Sequence, residues 1–191
     1  MSGDDTPTGD AAPWEVLDTE VHWSGYSTVR TDTIALADGG TAEREVVEHQ
    51  PAVAVVPLTA DGDVVLLRQY RHALRRYVLE VPAGGVDEDD VGPEEAAQRE
   101  LAEEIGRRAG RLEHLTRFDN SVGWCTEYTD VYVATDLVDA PPHDGFTAEA
   151  EEADMEVVVL PLDAAVAAAH DGTITDSKTV IGLLLAAHHR A

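Results

Sequence analysis

Hydrophobic and polar positions fall into a readable order along the chain. Between Trp14 and His49, Val, Thr, Ile and aromatic residues alternate with polar ones across WEVLDTEVHW, YSTVRTDTIAL and TAEREVVEH, with a turn at Asp38-Gly39-Gly40. A period of two broken by glycine turns predicts a small antiparallel meander. Trp14, Trp23 and Tyr26 are expected to pack on that sheet. Residues 51–58 (PAVAVVPL) and 64–70 (VVLLRQY) are near-continuous apolar runs around an Asp61-Gly62 turn. They predict a hairpin buried on both faces. Residues 77–81 (YVLEV) predict another strand. Residues 82–93 follow as turn chemistry, with Pro82, Gly84, Gly85, Gly92 and Pro93 interrupting any regular element. Residues 94–105 contain no breaker and are rich in Ala, Glu, Leu, Gln and Arg, so they predict a helix. Pro93 suits its first turn, Glu94 and Glu95 favour its positive end, and Gly106 stops it.

The second half repeats the alternation of strand and punctuation. Residues 111–118 and 128–134 predict strands flanking a loop at 121–124. Residues 139–156 form a long acidic loop, a length at which loops often carry function. A short strand follows at 157–160, then a helix over 162–170 ended by Gly172. A last helix runs through KTVIGLLLAAHHR, capped by Asp176 or Ser177. Strands, one helix, more strands and then helices make an α+β chain with helices on a mixed sheet.

Charge changes this picture most. Asp and Glu number 38 against 13 Lys and Arg, a net charge of −25. A nucleic-acid partner, which needs a basic footprint, is excluded. Self-repulsion at this charge predicts a fold stabilised by salt, and the composition resembles that of proteins from organisms with molar cytoplasmic salt. The apolar share of 43% is enough for a globular core, and no apolar run approaches a membrane span. The polar, acidic N-terminus is the opposite of a signal peptide, and the single cysteine, Cys125, fits a reducing cytoplasm. The expected organisation is an acidic tail at 1–12, an N-terminal β domain at 13–50 and a larger domain at 51–191.

The candidate chemistry lies on the helix at 94–105. At 100° per residue, Ala97, Leu101 and Ile105 stack as a buried stripe, and Glu100, Glu103 and Glu104 fall together on the neighbouring face. Such like charges repel, and Arg99 cannot neutralise all three. Clustered carboxylates beside a glycine turn suit a hard divalent cation, Mg²⁺ or Mn²⁺. Nearby, Arg68, Arg71, Arg75 and Arg76 crowd into nine residues of a very acidic protein. They either pair with carboxylates or face an anion such as phosphate.

Arg99-Glu100-Leu101-Ala102-Glu103-Glu104-Ile105-Gly106, preceded by Pro82-Ala83-Gly84, resembles the Nudix box of the Nudix hydrolases. The turn is one residue longer than the box pattern. Counting back from Arg99 puts the box's first glutamate at Val91, and counting forward from Gly84 puts it at Asp90. Further resemblance, carried by residues 44–49 (REVVEH), 68–71 (RQYR) and 176–179 (DSKT), is to the ADP-ribose pyrophosphatase-like branch. It implies a Nudix-like α/β/α sandwich preceded by a small antiparallel β domain that forms a homodimer. It implies Mg²⁺-dependent hydrolysis of a nucleoside diphosphate-linked small molecule, ADP-ribose, to AMP and ribose 5-phosphate. Other nucleoside diphosphate sugars or dinucleotides, and a non-catalytic ligand-binding regulator, are the alternatives. Position by position, the resemblance makes Glu100, Glu104 and the Ala83 carbonyl metal ligands, with Glu103 a ligand or base. It places Arg44, Arg68 and Arg71 on the substrate, and it asks Glu151 or Glu152 of the acidic loop to complete catalysis.

Overall fold

The computed structural model describes residues 14–87, 90–143 and 154–189. These residues divide into two compact units. The first holds β1 (Val16–Ser24), β2 (Thr28–Ala35) and β3 (Thr41–Glu48), an antiparallel sheet in the order β1-β2-β3. Among its described residues the one well-buried polar group is Asp32, which accepts from Arg30 Nε (3.1 Å) and the Thr19 hydroxyl (2.8 Å). Residues 121–126, a loop by sequence, lie in this unit too. The Val47 N–H donates to the Trp124 carbonyl (2.7 Å) and the Thr126 N–H to the Val47 carbonyl (3.0 Å). The expectation that the aromatics pack is not met. Trp23 is 65% exposed and Tyr26 78%, because among the described residues of this unit no second layer covers the sheet.

The second unit contains β4 (Ala52–Pro57), β5 (Asp63–Arg71), β6 (Arg76–Glu80), β7 (Ala83–Gly85), α1 (Pro93–Ile105), β8 (Arg107–Asp119), β9 (Tyr128–Asp139), β10 (Glu156–Pro161), α2 (Leu162–His170) and α3 (Ser177–His189). Its strands form two sheets, ordered β10-β5-β6 and β7-β4-β9-β8, the second mixed because β4 runs parallel to β9. Successive side chains of β4 point to opposite faces, and both faces are buried. Val53 and Val55 meet Ala96, Ala97 and Leu101 of α1, while Ala54 and Val56 meet Leu183 and Ala186 of α3 and Ala165 of α2. The sheet is thus the middle layer of an α/β/α sandwich. Gly182 permits close contact on the α3 side: a Cβ there would sit 2.8 Å from Val56 Cγ2.

Two local expectations are corrected. The apolar runs read as one hairpin, β4 and β5, belong to different sheets and share only an isolated bridge, Leu58 with Val64. The tight turn between them, with Gly62 at φ 85°, directs the chain from one sheet to the other, and each strand finds other neighbours for its backbone groups. Likewise, the segment after Glu80 is not all turn. Residues Ala83–Gly85 pair with Ala52–Ala54 as β7. Among the described residues, no helix is long and apolar enough to cross a membrane.

Candidate active site

The site is built where β7 meets α1. Helix α1 starts with Pro93 in its first turn and ends at Gly106, which adopts the left-handed conformation (φ 65°) that glycine tolerates without strain. Its apolar stripe docks on β4 and brings Glu100 and Glu104, one turn apart, against β7. Glycine at 84 is required for this approach. A Cβ there would overlap the Glu100 carboxylate, which is only 8% exposed as a residue. Glu104 accepts a hydrogen bond from the Ala83 N–H (3.0 Å).

Arg99 organises the carboxylates. Its Nη1 donates to Glu100 (2.7 Å) and Glu103 (3.1 Å), and its Nη2 to the Gly85 carbonyl (2.8 Å) and Asp90 (3.1 Å). Asp87 adds an ion pair at 3.3 Å. The structure therefore separates the two ways of counting the turn. Asp90 is clasped by Arg99 and accepts from the Asp87 N–H (2.9 Å), whereas Val91 is 94% exposed. Burial opposes ionisation of Asp90, but the bonds from Arg99 and the Asp87 N–H outweigh it and hold its pKa below the usual carboxylate range.

Glu100 and Glu104 are in the opposite state. Burial, set against the Arg99 charge and reinforced by Glu103, pushes Glu100 up to about 7. Burial and then the Glu100 charge push Glu104 well above its ordinary value. Among the described residues Glu104 has no ion-pair partner, and no three His, Cys, Asp or Glu side chains converge as a complete metal cage. Two mutually repelling carboxylates, Glu100 buried and Glu104 half-buried, beside the backbone of β7 are an oxygen-only donor set short of positive charge. That fits a hard divalent cation, with further oxygens to come from substrate or water. Glu100, Glu104 and the Ala83 carbonyl could hold it.

Glu103 is placed differently. One of its oxygens faces Arg99 and the other faces His143 Nδ1 at 2.7 Å. Its partners Arg99 and His143 line a cavity of ≈ 360 Å³ together with Asp90, Glu95, Gln98 and Arg108, whereas none of Glu100, Glu103 and Glu104 lines it. Among the predicted arginines, Arg68 stacks over the Tyr77 ring (3.9 Å) and donates to Glu156 (3.2 Å). Arg71 makes a two-pronged bond to Glu80, with Nε and Nη2 each at 2.7 Å. Arg44 belongs to the first unit, where it donates to the Glu43 carbonyl (2.8 Å). Glu151 and Glu152 lie outside the described residues. Sequence reasoning missed Glu80 and His143. Glu80 had a signal, being the lone charge in the apolar run YVLEV. His143 had none, because nothing in its neighbourhood marks it as facing α1.

Comparison with known proteins agrees with this geometry. Residues 48–180 match the NUDIX domain. An ADP-ribose pyrophosphatase of Mycobacterium tuberculosis is 34% identical over 172 residues, covering 90% of this chain and 82% of that protein. A methanol dehydrogenase activator of Bacillus methanolicus is 34% identical over 170 residues, covering 88% and 90%. In fold, a crystal structure described as an ADP compounds hydrolase superposes with a TM-score of 0.81 at 24% identity, covering 95% of this chain and 96% of that one. With the domain match spanning most of the sequence and the Arg99-centred carboxylates in place, this chain belongs to the Nudix family.

Proposed function

We propose that the protein hydrolyses the diphosphate of ADP-ribose, giving AMP and ribose 5-phosphate, in a Mg²⁺-dependent reaction. The observation that carries this reading is the pair of buried Glu100 and half-buried Glu104 held against Gly84 and Ala83. It is supported by relatives of matching length that include an ADP-ribose pyrophosphatase.

A diphosphate diester bears two negative charges and would be repelled by bare carboxylates. Bound Mg²⁺, or Mn²⁺, would offset that repulsion and make a water molecule acidic enough to attack phosphorus. Glu100, Glu104 and the Ala83 carbonyl are assigned as its protein ligands. Arg99 keeps Glu100 in place through its Nη1 bond to that carboxylate. Arg68 and Arg71 meet the phosphates, and Arg44 the phosphates or terminal ribose. The proton of the attacking water passes to a glutamate. Glu103, or Glu151 or Glu152 of the acidic loop, would receive it.

The exposed apolar residues of β1, among them Val16, Leu17, Val21 and Trp23, support a homodimer formed through the first unit. The single cysteine supports a cytoplasmic location.

Phosphorus NMR of ADP-ribose with Mg²⁺ tests the reaction, with AMP and ribose 5-phosphate the expected products. Glu104→Gln should lower kcat by about 10²-fold or more with the fold intact by circular dichroism. A wild-type chain that leaves ADP-ribose untouched in Mg²⁺ and Mn²⁺ would overturn the reading.

A further inference from the structure

Glu80 lies at the end of β6, three residues before Ala83, and its side chain is 2% exposed. Two cations share it. Arg71 binds through Nε and Nη2, and Lys178 Nζ approaches at 3.2 Å. Lys178, the chain's single lysine, comes from the first turn of α3 and also donates to Asp176 (2.6 Å). Asp176 caps that helix by accepting from the Thr179 N–H (2.9 Å), and the Thr179 hydroxyl accepts from the Val81 N–H (2.9 Å). The start of α3 therefore grips residues 80 and 81, next to β7, on which Glu104 rests.

The geometry of Arg71 gives this network a direction. Glu80 occupies the Nε–Nη2 edge of the guanidinium and leaves Nη1 with no hydrogen bond among the described residues. Its side chain is 43% exposed, and its charge is among those felt by Glu104. A guanidinium fixed along one edge presents the other as a planar fork suited to phosphate oxygens. Replacing a whole buried ion pair with apolar groups is often neutral or stabilising, although removing one partner alone is costly, so stability by itself does not explain a network of this kind. Orientation is the better account of why three charged residues from distant parts of the chain meet here.

We propose that Glu80 and Lys178 are positioning residues that hold the outward edge of Arg71 toward a substrate phosphate beside Glu104. This rests on the pyrophosphatase reading above. Lys178 keeps the Glu80 carboxylate from rotating away from Arg71, and Asp176 in turn anchors Lys178.

The test compares Lys178→Met, Lys178→Arg, Arg71→Lys and the isosteric Glu80→Gln in steady-state hydrolysis of ADP-ribose. A parallel calorimetric titration uses α,β-methylene ADP-ribose, which the enzyme cannot cleave. Lys178→Met and Glu80→Gln should each raise KM and weaken probe binding by about 10-fold or more while kcat changes little. Lys178→Arg should recover most of the loss. Combined with Arg71→Lys, Lys178→Met should add little further, because both remove the same oriented fork. An active wild type, with Lys178→Met and Glu80→Gln both folded and within about twofold of it in KM and probe affinity, would overturn the positioning role alone. So would effects of Lys178→Met and Arg71→Lys that simply add. A wild type that neither binds the probe nor cleaves ADP-ribose would overturn the proposed function, and the positioning role with it.

Discussion

Glu100 and Asp90 are both acidic, both within reach of Arg99, and pushed in opposite directions. Asp90 lies with its carboxylate along the guanidinium and stays ionised. Glu100 is pressed between α1 and Gly84 with Glu104 close by, and burial dominates. This difference sets a pH dependence. In the metal-free protein the folded pKa of Glu100 is about 7 against an ordinary 4.5, so the folded state holds more protons than the unfolded state between those values. Stability therefore falls as pH rises through that window and stays low above it. Glu104 acts in the same sense, whereas Asp90 and Asp130, held below the usual range, act oppositely and at lower pH. Unfolding midpoints in EDTA should fall between about pH 4.5 and about pH 7, and the gain on adding Mg²⁺ should grow over that range. Glu100→Gln should flatten both trends. A midpoint gain from Mg²⁺ that is independent of pH and unaffected by Glu100→Gln would contradict this account.

At the scale of elements, the central sheet is clamped between helices that reach it by different means. Helix α1 docks through alanines and Leu101, and α3 through Gly182, where the backbone lies against Val56. Gly182 is mid-helix, where glycine alone costs about 1 kcal/mol relative to alanine. Its Cβ-free contact with Val56 accounts for keeping it. Gly182→Ala should destabilise by about 1–3 kcal/mol despite the better helix propensity, measured by chemical denaturation. Stabilisation instead would show that α3 can shift away from β4. Element existence was legible from the sequence: helices α1, α2 and α3 and most strands lie where hydrophobic period and capping residues put them. What escaped was partnership. The runs that became β4 and β5 are adjacent in sequence and equally apolar, and nothing local says that they enter different sheets. Similarly, glycines at 84 and 85 read as turn, yet Val53 and Ala52 of β4 offered them a ladder.

Over the whole molecule, a net charge of −25 is spread over a small chain, and local cations neutralise only part of it. Arg99, Arg71, Arg117 and Lys178 each serve carboxylates that are nearly or fully buried: Asp90, Glu100, Glu80, Asp130 and Asp176. Arginines also reach exposed acids such as Glu48, Glu156 and Asp139, but 13 Lys and Arg cannot offset 38 Asp and Glu, and the excess acids repel one another. Raising KCl from about 0.1 M to about 3 M should raise the unfolding midpoint, since screening shortens to about 3 Å at 1 M salt. An unchanged midpoint would remove salt adaptation as the reason for this composition.

By itself, the sequence determined the α+β class, the box helix and its capping, and the candidate carboxylates, because these depend on spacing along one element and on local propensity. Only the tertiary structure decided what each acidic residue does. Glu100 and Glu104 are held against β7, Glu103 turns to Arg99 and His143, Asp90 rather than Val91 takes the arginine, and Glu80 fixes Arg71. Those differences arise from neighbours brought together from distant parts of the chain. Burial and the identity of a facing charge have no signature in a one-dimensional pattern, and in a chain this acidic, the pattern alone cannot tell a ligand from a solvated glutamate.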